Sequence, residues 1–225
     1  RNFDKDDTAN TALNTLAQIG NVAVAVSGDA RGAAGKVTGK HGGIEHVLVD
    51  FSAADMEKMA IGDKVQVRTF GLGLKFVELP HIKIFNLDPF LLAGLPVEKT
   101  SGLLEVGVAA EIPAELMGSG LGHDQVYTGD YDVQFTDMDR VRSLNLEAIR
   151  LGDIVAIMDS IHTHGRAFRK GAVSVGVVSH AACVAAGHGP GVTTIFSGPP
   201  GSITVHYEPA ANIARVLKIG AFEET

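Results

Sequence analysis

The sequence predicts an α+β fold, mainly β: a small glycine-rich, barrel-like unit packed on a second β-unit, with a few short helices. Three observations predict it. Glycine is abundant, at 27 of 225 residues, while tryptophan is absent. Glycine at that density, between short Val- and Ile-rich runs, marks tight turns joining strands. Helical spacing is confined to a few short stretches, most of them with a cap signal. The length allows one continuous domain or two small packed units. The division falls near residue 95: residues 1–95 hold an N-terminal helix and the barrel-like unit, and residues 96–225 hold a second β-unit that carries the candidate site.

In chain order, residues 4–20 read as a helix. Asp7 or Thr8 can cap it, Ala12, Leu13, Leu16 and Ala17 share a face, and Gly20 can close it. Residues 22–26 and 47–49 are short apolar strands, separated by Gly32, Gly35, Gly39, Gly42 and Gly43. Ser52 with Asp55 is a capping-box variant that starts a short helix. Ile61-Gly62-Asp63 and Leu151-Gly152-Asp153 are matching phrases, each read as a turn into a strand: residues 64–68 and 154–157. Residues 82–85 form another strand. Asp88 as cap, Pro89 in the first position and Gly94 as stop mark a helical turn. Residues 95–102, with Pro96 and a polar cluster, read as a linker. Residues 103–112 are nearly all apolar, as expected of a strand buried on both faces. Residues 113–117 form a helical turn, residues 137–150 a helix, residues 172–178 and 202–207 strands, and residues 209–218 a closing helix or a last strand.

Composition narrows the function classes. The formal net charge is −7 and the pI about 5.7, which disfavours nucleic acid, because a polyanion needs a basic surface. No apolar run is long enough to span a membrane, and no signal-peptide pattern opens the chain. One cysteine, Cys183, excludes an internal disulfide framework and fits a reducing cytoplasm. It reads as a small buried hydrophobe.

Residues 151–198 concentrate the chemistry. Asp159, His162 and His164 follow an apolar strand, and in an extended chain His162 and His164 point to one side. Two imidazoles and a carboxylate make half of a metal site; Arg166, on the same parity, can hold an anion by bidentate bonds. Gly187, Gly189 and Gly191 let backbone N–H groups converge on an anion. His188 inside that loop can act as general base or ligand, and Thr193 and Thr194 add hydroxyls. Upstream, Asp130 and Asp132 alternate in the same way, near His123 and Asp124, and paired carboxylates suit a divalent cation. His41, Glu45 and His46 are a further cluster, open to a metal or to a solvated turn.

Residues 27–51, SGDARGAAGKVTGKHGGIEHVLVDF, resemble the KOW-type hairpin of small SH3-like barrels. Such hairpins touch RNA in translation proteins; the acidic balance favours a structural use here. Taken with FNLDP, MGSGLG, RLGDIVAI, GRAFRKGAVSVGVVSH and GHGPGVTT, the chain resembles, over nearly its whole length, an uncharacterised bacterial family, domain of unknown function 4438. The resemblance implies a further segment ahead of Arg1 and supplies no catalytic assignment. A looser likeness, of texture only, is to acetamidase/formamidase-type amidases.

The leading expectation is a metal-assisted hydrolase of a small amide or related C–N bond, acting in the cytoplasm as a homo-oligomer on a small-molecule ligand. A divalent ion (Zn, Mn or Fe) is expected on Asp130, Asp132, His162 and His164. His188, Asp159 and His164 are the catalytic candidates. Gly187, Gly189, Gly191, Thr193 and Arg166 are the substrate- or anion-binding candidates. The alternative is a non-catalytic protein that binds a small anion at the same loop.

Overall fold

The computed structural model describes residues 7–43, 45–118, 126–181, 185 and 187–222. In chain order its elements are α1 (Asp7–Leu16), β1 (Val22–Ala25), β2 (Ala34–His41), β3 (His46–Asp50), α2 (Ala53–Met56), β4 (Val65–Arg68), β5 (Lys83–Ile84), α3 (Pro89–Leu92), β6 (Val97–Thr100), β7 (Leu103–Val108), β8 (Ala110–Pro113), β9 (Tyr131–Asp132), α4 (Met138–Ser143), β10 (Ile154–Ile161), β11 (Ala167–His180), β12 (Gly191–Gly198), β13 (Ile203–Tyr207) and α5 (Ile213–Leu217). The fold is α+β and mainly β, with short helices.

Three sheets organise it. The first has the order β3-β2-β1-β4; the second runs β5-β12-β11-β10-β8, with β9 also paired to β12; the third is β13-β7-β6. Among the described residues the first sheet does not close into a barrel. Its four strands are too few to wrap an interior of side chains, and β3 and β4 remain its edges.

The central sheet is covered on both faces, and β10 shows why. Its side chains alternate: Ile154 and Ala156 join one core, with Val175, Val177, Leu104, Ile195 and Phe196, whereas Val155 and Ile157 join another, with Ile112, Tyr131, Val141, Leu146 and Val192. Each fully buried Val, Leu or Ile side chain among these contributes about 1.5–3 kcal/mol. The apolar runs Ile154–Met158 of β10 and Ala172–Val178 of β11 follow from this double burial.

Local signals place most of the helices. Ser52 Oγ accepts from the Asp55 amide at 3.2 Å and donates to its carboxylate at 2.9 Å, opening α2. Asp88 Oδ1 accepts from the Phe90 amide at 2.7 Å, opening α3 with Pro89 in its first turn. Asn212 caps α5, so the closing segment is a helix, and Lys218 ends it in the left-handed region. The two Gly-Asp phrases form the same turn. Asp63 Oδ2 accepts from the Ala60 amide at 2.9 Å and Asp153 Oδ2 from the Arg150 amide at 2.8 Å, with Gly62 and Gly152 both at positive φ.

Several expectations are corrected. Helix α1 ends at Leu16, short of Gly20, because the Ile19 amide is taken by the Asn86 carbonyl at 2.8 Å in a bridge to Leu87. The expected linker holds strand β6, which pairs with β7. The apolar run 103–112 is two strands in different sheets, the chain changing sheets at Ala109. The helix expected over 137–150 stops at Ser143, and Asn145, at φ +54°, turns the chain into a separate 3₁₀ turn.

Candidate metal centre

Three neighbouring strands place one polar row at the mouth of the central sheet. Asp132 of β9 pairs with Gly191 of β12, and Gly191 pairs with His180 of β11. The side chains of Asp132 and His180 thus stand on either side of a residue that has none. Asp130, two residues before Asp132, joins them from the approach to β9. One ligand atom from each of Asp130, Asp132 and His180 lies within 4.8 Å of the others.

The His180 Nε2 is 2.8 Å from Asp130 Oδ2 and 3.2 Å from Asp132 Oδ1. On the other side, His188 Nδ1 lies 2.8 Å from Asp132 Oδ2. Asp130 Oδ1 accepts from the Gly42 amide at 2.7 Å, which ties the β2–β3 turn of the first sheet to the cluster. The His41 ring packs edge-on against His180, with centroids 4.5 Å apart.

Two atoms in this group have a distinctive state. Asp130 Oδ2 and His180 Nε2 are both buried and neither has a hydrogen-bond partner, although they are close together. Their contact is short without being aligned for a hydrogen bond. A buried carboxylate oxygen that lacks an aligned donor forfeits part of its lost hydration, and a cation held by both atoms would restore it. The Asp130 side chain is only 4 % exposed.

The electrostatics reflect the crowding. Burial alone would raise the Asp132 carboxyl; the His180 and His188 imidazoles beside it outweigh burial and hold the group below the ordinary range. The contact with Asp130, followed by that with Asp132, pushes the His180 imidazole up to about 10. A proton on His180 thus balances the carboxylates, in the place where a metal ion would compete with it.

The other expected site residues are spread out. His162 is fully buried, with Nδ1 2.8 Å from Thr194 Oγ1 and Nε2 3.0 Å from Ser160 Oγ. Its ring stacks on Tyr131 at 4.4 Å, and burial pushes the imidazole down to about 3. Tyr131 lies between the two aspartates on an alternating strand, so His162 sits across β9 from the carboxylates. His164 is exposed in the turn after β10. Asp159, at φ +54° in a β-bulge, accepts from the Gly171 amide at 2.6 Å and shapes the β10–β11 hairpin. Arg166, also exposed, donates to the Gly118 carbonyl at 2.6 Å.

The structure assigns close packing to much of the glycine loop. A Cβ on Gly189 would overlap the Val133 carbonyl, and one on Gly191 would overlap Asp130 Oδ2 and the His180 ring. Gly187 is at positive φ. Thr193 Oγ1 accepts from the Lys40 amide at 3.1 Å, stitching β12 to β2. His41 and His46 face each other across the β2–β3 hairpin, and both Asn10 and Asn14 donate to the Glu45 carbonyl. His123, Asp124 and Cys183 lie outside the described residues.

Of the expected metal ligands, the structure therefore brings together Asp130 and Asp132, with the catalytic candidate His188 beside them. It adds His180. The signal for His180 was its place at the end of a long apolar run, where a strand leaves the core.

Fold and site together define a mainly β α+β protein with a buried Asp-Asp-His group suited to a cation. The chain belongs to the family called domain of unknown function (DUF4438): the model of the family's N-terminal part matches residues 1–93 and that of its C-terminal part residues 94–217. The crystal structure of TM1086 is similar at 43 % identity and a TM-score of 0.89, over 93 % of this chain and 74 % of that one. No curated protein matches the chain. Among the described residues no helix is long and apolar enough to cross a membrane.

Proposed function

We propose that Asp130, Asp132 and His180 hold a divalent cation and that the protein is a metal-assisted hydrolase of a small amide or related C–N bond. The observation that carries the metal is the pair of buried atoms without hydrogen-bond partners, Asp130 Oδ2 and His180 Nε2, facing each other beside Asp132. Two carboxylates and one imidazole suit Zn, Mn or Fe and leave coordination positions for water and substrate. Such an ion lowers the pKa of a bound water and polarises a carbonyl.

This chain's own residues supply the rest. Gly42 and His188 orient the two carboxylates from behind, as outer-shell partners do. The His188 side chain is 49 % exposed, so its imidazole is placed to exchange a proton with a bound molecule. The choice of a C–N bond rests on the looser likeness to acetamidase/formamidase-type amidases. A homo-oligomer acting on a small-molecule ligand in the cytoplasm completes this reading.

The test is metal content of the untagged protein by mass spectrometry. About one Zn, Mn or Fe per chain is expected, lost in Asp130→Asn and in His180→Ala, with release of amine from small amides by the loaded protein. A protein that carries no metal and takes none up on titration would sink the metal reading. A loaded protein inert towards a panel of amides would sink the hydrolase.

A further inference from the structure

A cavity of about 360 Å³ opens beside the cluster, with His180 in its wall. That volume lies near the low end of small-molecule sites, roughly 300–1,000 Å³. Phe135, Met138, Ile149 and Val178 make most of the lining apolar, and Pro190, the neighbour of Gly191, is also part of it. Leu151, also in the lining, is 59 % exposed. A ligand seated here would cover apolar surface that now faces solvent.

One arginine, Arg150, contributes to the lining, and its guanidinium is held at the cavity's border. Buried Asp153 fixes it: Arg150 Nε donates to Oδ2 at 3.3 Å, and Nη2 donates to Oδ1 at 3.0 Å and to the Pro209 carbonyl at 3.0 Å. Those bonds use Nε and Nη2 and leave Nη1 out. A guanidinium already held in place loses little freedom on gripping a carboxylate. Glu147, also in the wall, is paired with Arg142 at 3.4 Å, so its charge is partly answered.

We infer that this cavity is the substrate pocket and that its ligand is a small carboxylic acid with an apolar body, as in an N-acylated apolar amino acid. The apolar side chain fills the space between Phe135, Met138 and Val178. Arg150 takes the carboxylate, and the scissile amide lies towards His180. Hydrolysis adds water across the C–N bond: the acyl carbon gains hydroxyl, and the nitrogen leaves as the amine with the second hydrogen. The reaction rests on the metal reading above; the pocket and its ligand class do not.

The experiment is calorimetric titration of the purified protein with 4-methylpentanoate, which has the apolar body and the carboxylate but no bond to cleave. Acetate and 4-methylpentan-1-ol, lacking one feature each, are the comparisons. The acid is expected to bind roughly tenfold or more tightly than either. Met138→Trp, a half-exposed position whose larger ring fills the cavity, is expected to weaken the acid by about tenfold or more with metal content unchanged. Arg150→Lys is expected to erase the preference for acid over alcohol. Equal binding of the three probes, no binding of the acid, or an unaffected Met138→Trp would overturn the assignment. Protein without metal that still binds the acid, and loses it in Met138→Trp, would overturn the metal reading and leave the pocket standing.

Discussion

Gly191 lies directly opposite His180 on the neighbouring strand, and the volume its missing side chain leaves is filled by the His180 ring and Asp130 Oδ2. The absence of a Cβ at this one position lets the cluster form. Gly191→Ala is expected to push the ligand atoms apart. It should cost about 1–3 kcal/mol of stability from overpacking and abolish stoichiometric metal uptake. Thermal unfolding and metal analysis check it; a variant that melts like the wild type and loads one ion would refute the packing argument.

Lys40 is enclosed in β2, donating to Asn86 Oδ1 and to the Tyr127 carbonyl, both at 2.6 Å. Burial lowers its ammonium from 10.5 to about 7. Between those values the unfolded chain binds a proton that the folded one releases, so this residue makes stability rise with pH across that window and adds no slope below it. Lys40→Met removes the effect. The stability difference, wild type minus variant, should increase from pH 7 towards pH 10 in urea titrations. A difference that stays constant over that range would show that Lys40 keeps its proton when folded.

His162 gives the opposite end of the pH scale. Burial lowers its imidazole from 6.5 to about 3. The unfolded state gains a proton as pH falls through 6.5 and the folded state only near 3, so stability declines across that interval. His162→Gln, which keeps hydrogen-bonding capacity towards Ser160 and Thr194, should flatten the decline. The wild-type His162 resonance should show no titration near neutrality by NMR. A His162 ring titrating near 6.5 would contradict the buried, neutral assignment.

Much of the secondary structure was legible because its causes are local. Ser52 with Asp55, Asp88 with Pro89, and the two Gly-Asp turns each carry their partner within a few residues, so the side chain that satisfies the backbone is visible in the sequence. The mainly β class was legible from glycine spacing and short apolar runs. Ends set by distant partners were not. Nothing near Gly20 indicates that Asn86 will capture the Ile19 amide and stop α1 early.

The candidate site divides along the same line. Spacing alone singled out Asp130 and Asp132 as a pair, and His188 as a histidine among glycines. It also gave His162 and His164 equal standing, because alternation says which residues share a side of a strand but not what covers that side. The sequence by itself thus determined the family, the β-rich class and two of the three proposed ligands. Only the tertiary structure decided that His162 turns into a Ser/Thr-lined core, that Gly191 serves as the floor of the cluster, and that His180 joins the two aspartates. The physical reason is pairing: His180, Gly191 and Asp132 come from three separate strands, and the register that sets them in one row depends on long-range hydrogen bonds.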